Sequence, residues 1–240
     1  MGAKGAARLP RHIGIVGVSP EGTALCYREI FRHSARLIGD RGHPTVTIHN
    51  EPLERYLDAV IKDDWHQVGE LLVRSSKALA GCGAEFCIVP DNLMQHGVHL
   101  AEGASPIPWL TMTDLVAKAI ERDKRKVVGL IGTKMVMFGS TYQTALGIKG
   151  VQVLIPGETE VEGLNTIIFR ELVYGVVRKE SQAKVIEVVR KLAAAGCEAV
   201  VLGCSEAPLL INQENSPLPV YDATDLLAEG AVRFAISPRA

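Results

Sequence analysis

Two side chains able to carry a proton stand at the ends of two similar apolar runs. Asp91 follows Glu85-Phe86-Cys87-Ile88-Val89-Pro90, and Cys204 follows Glu198-Ala199-Val200-Val201-Leu202-Gly203. Residues 83–91 resemble residues 196–204, so the carboxyl and the thiol occupy matching points of one pattern. A carboxylic acid near pKa ~4 and a thiol near ~8.5 can both take and return a proton once their surroundings move them. Cys204-Ser205-Glu206 also lies where a strand ends and a helix is expected to begin. Backbone N–H groups at a helix start lower a thiol pKa and favour a thiolate. The same Gly-Cys step equally suits a tight buried turn.

Further polar groups follow other strand ends. Ser19, Asn92, Thr133 and Ser205 offer hydroxyls, amides and backbone N–H groups for a carboxylate, or serve as turn and helix caps. Arg55 in Glu54-Arg55-Tyr56 offers a carboxylate clamp or lies on a solvated helix face. Lys134, after Gly132-Thr133, offers a counter-charge to an anionic substrate. His96 and His99 read as exposed. Cys26, Cys87 and Cys197 read as small core residues. No G-x-G-x-x-G, G-x-x-x-x-G-K-[ST], H-E-x-x-H or G-x-S-x-G occurs, which leaves dinucleotide, P-loop, zincin and nucleophile-elbow chemistry unsupported. Cys82 and Cys87 lack a second Cys/His pair at zinc spacing, so no metal is expected.

The repeat organises what must position these groups. Residues 13–18 resemble 128–133, residues 83–91 resemble 196–204, and Ser105-Pro106-Ile107-Pro108 resembles Ser216-Pro217-Leu218-Pro219. Tyr27 falls opposite Tyr142, and Thr113-Asp114-Leu115 opposite Thr224-Asp225-Leu226. Three blocks in one order predict two similar lobes. Short apolar runs predict strands at 12–18, 44–49, 85–90, 107–110, 127–132, 150–155, 198–203 and 218–221. Between them the pattern predicts helices near 21–38, 65–80, 113–123, 161–177, 181–195 and 223–235, with starts at Asp63-Asp64 and Glu180-Ser181. The pattern predicts an α/β chain of two similar lobes with parallel sheets. The lobes are expected at 10–113 with 225–240, and at 114–224. Ligands of such sheets sit beyond the carboxyl ends of the strands. If the lobes face each other about a pseudo-twofold axis, Asp91 and Cys204 face each other across the cleft between them.

Composition limits the partners. The chain has 240 residues, 47% of them apolar and 22% charged, with a net charge of -1. That balance can bury a core, and it carries no basic excess for nucleic acid or an anionic membrane. No apolar run reaches the ~18 residues of a membrane helix. Met1-Gly2-Ala3-Lys4-Gly5-Ala6-Ala7-Arg8-Leu9-Pro10 has no apolar signal core and reads as a loose terminus. Five cysteines in a chain of this length make no disulfide framework, and a reducing cytoplasm is the expected setting.

From Ile13 to about Phe234 the chain resembles the aspartate/glutamate racemase superfamily, the amino-acid racemases that need no pyridoxal phosphate. The resemblance rests on Ile13-Gly14-Ile15-Val16-Gly17-Val18-Ser19 and on Pro90-Asp91-Asn92-Leu93 with His96. It rests also on Gly132-Thr133-Lys134-Met135 with Tyr142, and on Ile167-Ile168-Phe169-Arg170-Glu171-Leu172 with Gly175. Gly203-Cys204-Ser205-Glu206, similar to the family's Gly-Cys-Thr-Glu block, is the most specific part. The resemblance implies two Rossmann-like lobes with parallel sheets related by a pseudo-twofold axis, a homodimer, and racemisation of a small acidic amino acid without cofactor. The proton would pass between Asp91 and Cys204, with Ser19, Asn92, Thr133, Lys134, Ser205 and Arg55 around the substrate. The sequence departs from the family twice: Asp91 stands for the first catalytic cysteine, and Tyr221-Asp222-Ala223-Thr224-Asp225-Leu226 lacks a following histidine. Burial can raise a carboxyl pKa by up to roughly 3–5 units, so Asp91 can still pair with Cys204. Its charge would raise the Cys204 pKa and make the pair lopsided. Two alternatives stay open. One is a one-cysteine decarboxylase, lyase or isomerase of a small carboxylate. The other is a non-catalytic binding protein.

Overall fold

The structure, a computed structural model, describes residues 9–239. Most of the expected loose terminus, residues 1–8, lies outside the described residues.

The first lobe runs β1 (Ile13–Gly17), α1 (Pro20–Leu37), β2 (Val46–Asn50), α2 (Leu53–Ile61), α3 (Trp65–Gly81), β3 (Phe86–Ile88) and α4 (Gln95–Ala101). After α5 (Met112–Arg122), the second lobe runs β4 (Val127–Gly132), α6 (Lys134–Phe138), α7 (Ser140–Gly147), β5 (Gln152–Leu154), α8 (Glu158–Arg170), α9 (Lys179–Ala194), β6 (Ala199–Gly203) and β7 (Val220–Asp222). The chain then ends on α10 (Ala223–Ile236).

The strands form two parallel sheets, in the orders β2-β1-β3 and β5-β4-β6-β7. They are two similar lobes, as expected. β1 and β4 are central and apolar on both faces because helices cover both. The expected strand at 107–110 is reduced to one bridge, between Cys87 and Trp109. Its counterpart in the second lobe is β7.

Two hydrogen-bond arrangements recur in both lobes. Cys87 N–H donates to the Pro108 carbonyl at 2.8 Å, and Val200 N–H to the Pro219 carbonyl at 2.9 Å. Ser105 Oγ donates to the Ile107 carbonyl and Ser216 Oγ to the Leu218 carbonyl, both at 2.7 Å. Gly14 and Gly129 are glycines for one reason. A Cβ on Gly14 would lie 3.1 Å from Leu79 of α3, and one on Gly129 2.8 Å from Leu192 of α9. Each lobe therefore presses a helix leucine onto its central strand.

The expected helix at 161–177 starts earlier and stops sooner. It becomes α8, then a 3-10 turn at Leu172–Tyr174, ended by Gly175 at φ 69°. Asp64 caps α3, accepting the Gln67 N–H at 2.9 Å. Ser181 starts no helix: it lies inside α9, where its hydroxyl donates to Glu171 at 2.7 Å. α4, α6 and α7 were not expected, and α2 only as the helix face offered for Arg55.

One apolar cluster runs through both lobes, from Ile13, Ile15, Phe86 and Ile88 to Val128, Leu130, Val200 and Val201. A second lies on the outer face of the first lobe, around Val16, Tyr56, Leu72 and Cys87. α10 packs on α1 and α5 as well as on β6 and β7. Arg11 donates to carbonyls of Phe234, Ser237 and Pro238 and so fastens the end of the chain to the start of β1.

Candidate active site

The two lobes enclose a cavity of about 140 Å³. Asp91, Asn92, Thr133, Cys204, Ser19 and Ser205 all line it, each from a strand end. The structure therefore brings together six of the eight residues singled out in the sequence.

Asp91 is placed by the turn that follows β3. Its Oδ1 accepts the N–H groups of Leu93 at 2.9 Å and Met94 at 3.1 Å. Gln95, which the sequence reading passed over, holds that turn from behind. Its amide donates to the carbonyls of Val89 and Asp91 and accepts the Met112 N–H at 2.9 Å. Burial, and then the charge of Glu206, push the Asp91 carboxyl up to about 6; the two N–H bonds pull the other way.

Cys204 follows β6, but no α-helix begins there. Pro208 sits in a short 3-10 turn, Ala207–Leu209. The expected lowering of the thiol pKa is therefore corrected. Burial, followed by the charge of Glu206, raises Cys204 well above the ordinary thiol value. The N–H groups of Glu206 and Ala207 oppose this and do not prevail. The carboxylate beside the thiol is Glu206, where the sequence reading had put Asp91.

Glu206 is the main addition to the site. It is 5% exposed, and no ion pair to it occurs among the described residues. Ser19 donates to its Oε1 at 2.5 Å, and the Cys204 thiol donates to its Oε2 at 3.2 Å. Glu206 stands in the same short block as Cys204, so the signal lay in the sequence. Its partner Ser19 is 187 positions away, a distance no local pattern spans.

The lobes are joined by hydrogen bonds at the cavity. Besides Ser19 to Glu206, Ser205 donates to the Pro90 carbonyl at 2.7 Å and Tyr142 donates to Asn92 Oδ1 at 2.6 Å. The hydroxyl protons of Ser19 and Ser205 are thus committed within the protein. Asn92 is 4% exposed and its Nδ2 finds no partner among the described residues. Buried donors are rarely left so, and Asn92 is among the residues around the cavity. Thr133 caps α6, accepting the Val136 N–H at 3.3 Å, and among the described residues its hydroxyl proton has no acceptor.

Two expected ligands stand away from the cavity. Arg55 pairs with Glu51 at 3.0 Å. Lys134 pairs with Glu162, on the exposed side of α6 and α8. Each ammonium or guanidinium has found a local carboxylate, and no lysine, arginine or histidine is among the residues lining the cavity. His96 is exposed and stacks edge-on against Trp65, with ring centroids 4.6 Å apart. All five cysteines are free thiols. No helix among the described residues is long and apolar enough to cross a membrane.

Solved structures share this architecture. A protein from Yersinia pestis, described as a candidate Asp/Glu racemase, matches with a TM-score of 0.85 and 29% identity, over 95% of this chain and 100% of its own. An aspartate racemase homologue from Pyrococcus horikoshii matches with a TM-score of 0.83 and 27% identity, over 95% and 100% of the two chains. The aspartate racemase of Picrophilus torridus shares the fold, with a TM-score of 0.76, 19% identity and 94% of both chains covered. The sequence family described as Asp/Glu/hydantoin racemase matches residues 15–231. With nearly the whole chain matched, the protein belongs to the Asp/Glu/hydantoin racemase family.

Proposed function

We propose that the chain is a cofactor-independent racemase that moves the Cα proton of a small amino acid between Asp91 and Cys204. The observation that carries this reading is their shared cavity, entered from matching strand ends of the two lobes. Racemisation needs a base on one face of Cα and an acid on the other. Asp91, held near 6, is mostly ionised at neutral pH and still basic enough to accept a proton. Cys204, held high, keeps its proton until a carbanion demands it. Asn92 Nδ2 and the Thr133 hydroxyl are the donors for the substrate carboxylate, where negative charge builds as the Cα proton leaves. After one transfer Asp91 carries a proton and Cys204 is a thiolate beside Glu206. That thiolate is a strong base, so the opposite enantiomer runs the sequence backwards.

One observation favours the one-cysteine alternative. Asp91 Oδ1 already accepts two backbone N–H groups, as a purely structural turn cap would. Asp91→Asn separates the two readings, since an amide keeps the cap and cannot take a proton. Cα–H exchange in D₂O is measured for each enantiomer alongside optical inversion. Under the racemase reading, Asp91→Asn loses inversion while one-sided exchange through Cys204 persists. Intact turnover in that variant, or carbon dioxide release from a malonate, would shift the assignment to Cys204 alone. No exchange with any amino acid would favour a binding role.

A reducing cytoplasm suits a site whose acid must remain a free thiol. We take the working assembly to be a homodimer, to be checked by light scattering. The lobe division at 10–113 with 225–240 against 114–224 is our proposal for the units that move about this cavity.

A further inference from the structure

We infer that the substrate side chain is uncharged and apolar, an inference that rests on reading the cavity as a site of Cα proton exchange. The wall facing the reacting groups is made by Leu53 and Leu57 of α2, one turn apart, and by Ile168, Phe169, Val173 and Tyr174 at the end of α8 and the turn after it. Five of these six side chains carry no polar atom, and the sixth offers one phenolic hydroxyl. Leu53, Leu57, Phe169 and Val173 are only half-buried. That leaves apolar surface which a ligand can cover.

Charge points the same way. Asp91 and Glu206 both line the cavity, and no cationic side chain does. The cationic candidates from the sequence, Arg55 and Lys134, stand away from it, paired with Glu51 and Glu162. An amino acid with one carboxylate brings an ammonium that complements the two acids and a carboxylate that meets Asn92 and Thr133. A second carboxylate on the side chain would have no cation to meet and two like charges close by, which opposes binding. The substrate class is therefore a monocarboxylic amino acid with an aliphatic or aromatic side chain. The acidic side chain implied by the resemblance is not matched by these residues.

The experiment measures binding and chemistry separately. Calorimetry on Cys204→Ser compares leucine, methionine and phenylalanine with aspartate and glutamate, and Cα–H exchange in D₂O compares the same set on the unaltered protein. The apolar amino acids are expected to bind about tenfold tighter or more than aspartate, a typical discrimination by an apolar pocket. Leu57→Arg is expected to narrow that ratio by about tenfold by supplying the missing cation. Leu53→Arg serves if the first variant melts early. Equal or tighter binding of aspartate or glutamate would overturn the inference, as would no binding by any of the apolar three. Tight apolar binding without exchange would uphold the side-chain class and reject the racemase reading instead.

Discussion

After burial, the charge of Glu206 is what raises both Asp91 and Cys204. Replacing it with glutamine removes that charge and keeps the shape. We expect Glu206→Gln to move the acid limb of the rate–pH profile downward, since Asp91 then ionises below its present value of about 6. A limb that stays near pH 6 would show that burial alone sets Asp91. Cys204→Ser should lower turnover by about 10²–10⁴-fold, because an alcohol cannot supply the proton a thiol supplies; a loss under tenfold would make Cys204 structural. Stability gives a check independent of activity. Asp91 has a folded pKa of about 6 against ~3.9 for a free aspartate. The stabilisation linked to its protonation is therefore complete below about pH 4 and is lost as pH rises through about 6. Asp91→Asn, which keeps both turn bonds, should melt above the unaltered protein at pH 8 and level with it at pH 4. Equal melting temperatures at pH 8 would mean that the Asp91 charge is not paid for in folding.

At the scale of elements, the strand ends carry the site, and their packing leaves no slack. A Cβ on Gly132 would lie 2.5 Å from the Gly203 carbonyl oxygen, where β4 and β6 pair just before Thr133 and Cys204. Neither backbone can yield cheaply, so Gly132→Ala should cost about 1–3 kcal/mol of stability and displace Cys204 enough to reduce turnover. Unchanged denaturation and activity would show that the pairing opens freely. These strands were legible beforehand because a parallel strand covered on both faces reads as an apolar run, and because three repeated blocks fixed their correspondence. The short helices were not legible. α6 and α7 take 5 and 8 residues, too few for a 3.6-residue period to emerge. α4 is held by Gln95 reaching Met112, a contact that no pattern within the helix encodes. The same limit explains the substrate groups. Asp91 and Cys204 were found by position in the repeat. Arg55 and Lys134 stand outside the cavity because each is paired with a carboxylate on its own side of the fold, Glu51 and Glu162. Glu206 was quoted as part of a motif, yet its hydrogen-bond partner Ser19 lies in the other lobe.

For the whole molecule, the question is whether two similar lobes behave as two folding units. A chain of this size commonly unfolds through intermediates, and lobes built on a repeat could melt one at a time. The packing argues against that here. The larger apolar cluster is continuous from β1 and β3 to β4 and β6, so exposing either lobe uncovers the inner face of the other. Three hydrogen bonds also cross at the cavity, from Ser19, Ser205 and Tyr142. We therefore expect one cooperative transition. Both tryptophans, Trp65 and Trp109, pack against the cluster on the outer face of the first lobe, so their fluorescence follows that lobe alone. Far-ultraviolet circular dichroism follows helices of both. The two denaturation curves should coincide in midpoint and slope. Tyr142→Phe extends the test, because it removes a bond between lobes and leaves Asn92 Oδ1 buried without its donor. That change should cost about 1–3 kcal/mol and shift both curves together by the same amount. A dichroism curve that divides into two steps, with fluorescence following only one, would mean that the shared cluster does not couple the lobes. In that case the cavity between them could open without unfolding either.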